Sequence, residues 1–255
     1  METIHQFGGH WTEEKLERLQ KYLAAYTKIF AANERAKFLT TYYVDAFAGT
    51  GHRAARTTAK TPNPTLLDSD DLTLNDYDAD EFTKGSARIA LEITPSFNNY
   101  IFVERNPEHV KELEKLRQQF PSKAGHIKIR NEDANTFIQN WCLATNWQTN
   151  RAVVFLDPYG MSVDWKSIEI MAKTKAIDLW ILFPLGQGVN RLLTREHPPE
   201  DAWANKLTKF FGTNDWVDAF YRPPLQQSLF GEEQPLKKEA NFDKIGDYFI
   251  SRLRT

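Results

Sequence analysis

Apolar residues at Leu16, Leu19, Leu23, Tyr26 and Phe30 recur in steps of three and four. That period predicts a helix from Thr12 to Phe30 with one face turned to a core. Glu13 and Glu14 stand where the first turn of a helix favours negative charge. The period then changes. Thr40 to Phe47 is rich in β-branched and aromatic residues and runs into Ala48-Gly49-Thr50-Gly51, which predicts a strand and a tight turn. From His52 to Lys84 no period survives, and this stretch reads as a surface insertion.

Regular patterning resumes with a helix from Ser86 to Ile93 and a short strand, Tyr100 to Val103, that ends at Glu104. Asn106-Pro107 has the form of a helix cap followed by a first-turn proline. Val110, Leu113, Leu116 and Phe120 continue that helix. Ile127 and Ile129 predict a strand leading into Asn131-Glu132-Asp133-Ala134-Asn135, and Phe137 to Trp147 a helix. Ala152 to Leu156 is wholly apolar and ends at Asp157-Pro158-Tyr159-Gly160. Asp164 is placed to cap a helix through Ile168 and Met171, and Ile177 to Phe183 predicts a further buried strand. Strands alternating with helices predict an α/β fold with a mainly parallel sheet covered on both faces. A helix precedes the sheet. A helical tail over residues 200–255 follows it, with Trp203, Leu207, Phe210 and Phe211 in one helix and Phe242, Ile245, Phe249 and Leu253 in another. The expected organisation is a single domain over 1–255, with its core at about 40–195 and the insertion at 52–84.

Composition narrows this picture. With 255 residues, 41% of them hydrophobic and 13% aromatic, the chain has the means to build a sizeable core and is unlike a disordered one. A net charge of −2 gives no global signature of a nucleic-acid binder. It does hide a local asymmetry. Seven acidic residues and no basic one lie between Asp68 and Glu81, whereas Arg53, Arg56 and Lys60 flank the glycine turn. The acidic run could grip a metal or a basic partner, but it lacks the Gly-hinged spacing of a calcium loop, so a solvated loop with no metal site is the expected reading. One cysteine, Cys142, excludes an internal disulfide framework and reads as a small buried hydrophobe. No leader-like apolar segment opens the chain, and no apolar run approaches the roughly 18 residues of a membrane span. A cytoplasmic protein with no membrane partner is expected.

Four polar clusters fall at strand ends, where open α/β sheets bind ligands. In the first, Gly49 and Gly51 let a ligand approach the backbone. The Asp45 carboxylate beside them suits an ammonium better than a pyrophosphate. A plain structural turn is the other reading. Gly49, Gly51 and Ala54 also fit a dinucleotide pattern, but Asp70 and Asp71, at the right distance for its acidic member, lie in a polar run. In the second cluster, Glu104 has the chemistry to accept hydrogen bonds from both hydroxyls of a ribose, or to pair with nearby backbone. In the third, Asp133 is able to accept from an adenine amino group, to cap the helix behind it, or to do both. The fourth, Asp157-Pro158-Tyr159, joins an acid, a rigid turn and a π face.

In this order the four clusters resemble the class I S-adenosylmethionine-dependent methyltransferases, a Rossmann-like fold. The resemblance spans roughly residues 40 to 185. It implies S-adenosylmethionine as cofactor, held by Asp45, Phe47, Ala48, Gly49, Gly51, Glu104, Asp133 and Ala134. It makes Asp157, Pro158 and Tyr159 the catalytic loop, similar to that of methyltransferases acting on nitrogen. The motif departs from that pattern in having Tyr159 in the place of a second proline and Gly160 in the place of the aromatic. Gly51 and Glu104 also lie further apart than is usual, and the insertion accounts for the difference.

Four segments resemble the three-Cys-motif partner protein family: Gly8 to Lys15, Tyr43 to Gly51, Ala152 to Trp165 and Ile177 to Leu193. That likeness implies a radical-SAM-like partner carrying a three-cysteine motif. The expected function is therefore methyl transfer, with a nucleic-acid base as an acceptor; Arg53, Arg56, Lys60, Arg191 and Arg195 either meet its phosphates or are ordinary surface charge. The alternatives are a non-catalytic S-adenosylmethionine-binding regulator of the partner, and an NAD(P)-dependent enzyme.

Overall fold

The computed structural model describes residues 10–50, 77–158, 160–222 and 236–254. The elements, in chain order, are α1 (His10–Ala32), β1 (Thr40–Asp45), α2 (Tyr77–Glu92), β2 (Asn99–Val103), α3 (Pro107–Gln118), β3 (Ile127–Arg130), α4 (Ala134–Ala144) and β4 (Asn150–Leu156). They continue with α5 (Trp165–Thr174), β5 (Ile177–Ile181), α6 (Asp201–Phe211), α7 (Trp216–Phe220), β6 (Tyr221–Arg222), β7 (Lys237–Lys238) and α8 (Phe242–Leu253). The chain divides into two compact units. One comprises the residues up to Asp157 together with Met171–Ile181. The other comprises Pro158–Ile170 and the residues from Leu182 onward.

The first unit carries a five-stranded sheet of order β3-β2-β1-β4-β5. Every neighbouring pair is parallel. This is the α/β, Rossmann-like architecture expected from the alternating pattern. The chain moves outward from β1 through β2 to β3, then returns to place β4 on the other side of β1. The order therefore reverses between β1 and β4, and the carboxyl ends of those strands open the crevice where such sheets take ligands.

Both faces of the sheet are covered, as the apolar runs predict. Tyr42 meets Trp141 of α4 on one face. Tyr43, on the opposite face, packs on Phe97, which stacks on Tyr26 of α1. Tyr22 of α1 meets Trp180 and donates to Asp178 Oδ2 at 2.7 Å, which fixes the helix along β5. Leu19 and Leu23 are fully buried. Each such side chain contributes about 1.5–3 kcal/mol by leaving water. The strand Ile177–Ile181 is half-buried rather than buried, and it stops two residues short of Phe183. Its place at an edge of the sheet explains the exposure.

The local capping chemistry follows the sequence closely. Asn106 Oδ1 accepts from the Glu108 amide, with Pro107 in the first turn of α3. Asp133 caps α4, which starts three residues earlier than its apolar period indicates. The larger difference lies in α2. It begins at Tyr77 rather than Ser86, so residues 77–84, expected within the insertion, are its opening turns. The rest of the insertion, with most of the acidic run, lies outside the described residues.

The second unit is knitted by aromatic rings. Phe183, Phe210 and Phe249 stack on one another, with Phe183 and Phe249 only 4.2 Å apart at their centroids. Phe211, Phe220 and Tyr248 extend the cluster. Gly212 ends α6 at φ +74, and a Cβ there would lie 2.1 Å from Trp165 Cδ1. Leu185–Asn190 forms a wide π turn in which the Val189 amide reaches back to Pro184 O. Neither this turn nor α7 and the β6–β7 ribbon shows in the apolar period. Each is too short to establish one.

Candidate active site

Three carboxyl groups gather at the carboxyl edge of the sheet. Asp45 is the last residue of β1, while Glu104 and Asp157 each follow directly on β2 and β4. In the ladder Asp45 pairs with Phe102 on one side and Phe155 on the other. Glu104 and Asp157 are two residues beyond those partners, so by strand alternation all three start from the same face. All three are buried.

The turn after β1 is tied to both neighbouring strands. The Ala46 amide donates to Phe155 O at 3.1 Å, and the Ala48 amide to Val103 O at 3.0 Å. The backbone thus crosses from the β4 side to the β2 side above the sheet end. Gly49 then adopts φ +56, a conformation that costs a side-chain-bearing residue energy. Its amide donates to Glu104 Oε2 at 2.9 Å. The other carboxylate oxygen, Oε1, accepts from the Asn106 amide at 2.7 Å. The backbone role foreseen for Glu104 is therefore filled. Each oxygen still has a second lone pair, which is the chemistry a ribose diol needs. His109 Nδ1 lies 3.6 Å from Oε1, and Asn131 Nδ2 holds the Glu104 carbonyl at 2.9 Å.

Asp45 is held by two donors: Ser86 Oγ of α2 at 2.6 Å and the Phe47 amide at 3.4 Å. Burial pushes its carboxyl up to about 7, against the pull of these hydrogen bonds. Asp157 is pushed further, to about 8, by burial and by the charge of Asp45, with Lys15 of α1 acting in the opposite sense. Asp157 Oδ2 is buried with no hydrogen-bond partner among the described residues. Such an orphaned acid is costly in a finished core and signals a site. Asp133 Oδ1 accepts from the Thr136 amide at 2.9 Å, as a helix cap does, while its side chain stays exposed and Ala134 beside it is buried.

The structure thus brings Asp45, Phe47, Ala48, Gly49 and Glu104 together through hydrogen bonds and couples Asp157 to Asp45 through charge. Asp133 and Ala134 open α4, next along the sheet edge from Glu104. Gly51 and Tyr159 lie outside the described residues, as do Arg53, Arg56 and Lys60, while Arg191 and Arg195 are exposed. Ser86, His109, Asn131 and Lys15 were not singled out for the site by the sequence. Ser86 stood there only as the expected start of a helix, Asn131 in the run before Asp133, and Lys15 at the end of the Gly8 to Lys15 segment. Among the described residues no group of three or more His, Cys, Asp or Glu is arranged to hold a metal ion. None of their helices is long and apolar enough to cross a membrane. Cys142 is buried, and burial pushes its thiol up to about 12.

No family model matches the chain, and no curated protein matches it. Among solved structures it is similar to a protein described as "conserved hypothetical protein" from Streptococcus pyogenes. The identity there is 15%, over 59% of this chain and 68% of that one, with a TM-score of 0.33. It is also similar to a protein titled "Putative methyltransferase yhhF from Escherichia coli", at 13% identity over 71% of this chain and 68% of that one, with a TM-score of 0.34.

Proposed function

We propose that this chain is an S-adenosylmethionine-dependent methyltransferase whose acceptor is a nitrogen of a nucleic-acid base. It would work beside a radical-SAM-like protein that supplies the three cysteines this chain lacks. The observation that carries the reading is the bond from the Gly49 amide, in the turn after the central strand β1, to Glu104 at the end of the neighbouring strand β2. It joins a glycine turn to an acid with spare lone pairs, beside a buried acid with an unpartnered oxygen.

The residues present fit such a cofactor. Glu104 would take the ribose hydroxyls, Asp45 the methionyl ammonium, and Asp133 with Ala134 the adenine. When bound, the cofactor supplies a methyl group already activated as a sulfonium. The protein's task is then placement rather than activation. Asp157, once ionised, would accept a hydrogen bond from the acceptor N–H. It would take that proton as the S–CH3 bond of the sulfonium gives way to the N–C bond and a neutral thioether is left, and its raised pKa suits a proton acceptor working near neutrality.

Titration calorimetry with S-adenosylmethionine tests the reading. Binding is expected for the unaltered protein and is lost or greatly weakened in Glu104→Ala. Failure of the unaltered protein to bind, or unchanged binding by the variant, would overturn it. Stabilisation by NAD instead would favour the NAD(P)-dependent alternative.

A further inference from the structure

The opening turns of α1 reach the carboxyl edge of the sheet, where the charge of Lys15 acts on Asp157. Three contacts fix the helix. Tyr26 stacks near Phe97, just ahead of β2. Tyr22 reaches Asp178 and Trp180 on β5. Leu16 lies against Gly85 of α2, where a Cβ would meet its Cδ1 at 3.0 Å. The helix therefore runs against the strands, from their carboxyl ends toward their starts.

The arithmetic agrees. Lys15 is two turns ahead of Tyr22, about 10 Å along the helix axis. Trp180, the ring that Tyr22 meets, is in register with Phe155, and Asp157 lies two residues beyond it, about 7 Å along the strand. Along the strand direction the two positions thus differ by only about 3 Å, which sets Lys15 level with the carboxyl edge. Leu16, the next residue, touches Gly85, and Ser86 beside Gly85 is the donor that holds Asp45.

We propose that Lys15 is a positioning residue of this site: its half-buried side chain lies at the carboxyl edge of the sheet and sets the charge that the Asp45–Asp157 pair carries. Two buried carboxyl groups this close do not both ionise without a counter-charge. Lys15 is the cation acting on Asp157, and Asp45 is the like charge opposing it. Asp45 in turn faces Ser86 from α2, its own turn at Phe47, Tyr43 on β1, and Glu104. Lys15 thus lets Asp157 release its proton at a pH where burial alone would retain it. The part of this that concerns methyl transfer rests on the proposed function; the electrostatic part does not.

Carbon-detected NMR of the Asp157 carboxyl, from about pH 5 to about pH 10, tests the assignment. Lys15→Gln is expected to raise the midpoint by roughly one pH unit. Lys15→Arg should stay close to the unaltered protein. Lys21→Gln, which removes an exposed partner of Glu17 on the same helix, should leave the midpoint unmoved. A midpoint unchanged in folded Lys15→Gln overturns the proposal. If that variant does not fold, the Lys15 ammonium resonance of the unaltered protein decides. It is expected to shift with the Asp157 midpoint, and a flat response overturns the assignment. Calorimetry with S-adenosylmethionine on the unaltered protein separates the two ideas. A Lys15-dependent midpoint without cofactor binding removes the methyl-transfer role and leaves the electrostatic assignment standing.

Discussion

The backbone amide of Gly49 donates to Oε2 of Glu104 at 2.9 Å, tying the turn after β1 to the acid after β2. The two groups lie far apart in the chain and side by side at the sheet edge. Neither is free to move without the other, so a ligand that grips one is read by both.

Removing the Glu104 carboxylate should therefore act on stability and on binding together. Glu104→Ala leaves the buried Gly49 amide without its acceptor, a loss of about 1–3 kcal/mol. A lowered thermal midpoint is expected, along with at least about tenfold weaker S-adenosylmethionine binding by calorimetry. Glu104→Gln, which keeps one acceptor oxygen, should recover part of the stability and less of the binding.

Asp157 gives a pH dependence of definite sign. Its carboxyl is raised from 3.8 to about 8, so the folded state holds a proton that the unfolded chain has released. Its contribution to stability is full below the unfolded value and is lost as pH rises through the folded one. Asp45, raised to about 7, acts in the same direction. Asp157→Asn abolishes its share. The difference in urea midpoint between the variant and the unaltered protein should therefore move in the variant's favour between about pH 5 and about pH 8.

Ser86→Ala withdraws the 2.6 Å donor from Asp45. The carboxylate loses the interaction that most favours its charged form, so its midpoint should climb further, as read by carboxyl NMR. No change would mean that Ser86 packs against Asp45 without holding its charge.

Gly212→Ala tests the second unit. The alanine would have to adopt φ +74 and set its methyl group against Trp165. A destabilisation of about 2 kcal/mol or more is expected in denaturant titrations followed by tryptophan fluorescence.

The sheet was legible because β2 and β4 carry continuous apolar runs, β1 is rich in β-branched and aromatic residues, β3 alternates, and the helices carry their own punctuation. Asn106-Pro107 stands where α3 begins, and Asp133 where α4 does. The start of α2 was hidden because Tyr77 to Lys84 has few apolar residues to carry a period, so its helical form cannot be read from an apolar stripe. The acids at the strand ends were visible as residue types at meaningful positions. Their partners were not. That Ser86 meets Asp45, or that α1 brings Lys15 toward Asp157, depends on where helices cross the sheet edge, and nothing in the local sequence encodes that crossing.

The strand order has a consequence for how the protein is made. β1 is the middle strand, yet one of its two neighbours, β4, is separated from it by α2, β2, α3, β3 and α4. A chain emerging from the ribosome completes β1 long before β4 exists to pair with it. During that interval one side of a strand rich in aromatic and β-branched residues has open backbone donors and acceptors, which invite pairing with other chains. Closing so long a loop is also slow. The same reversal that opens the crevice between β1 and β4 thus makes this pair the step at which folding is most exposed to aggregation.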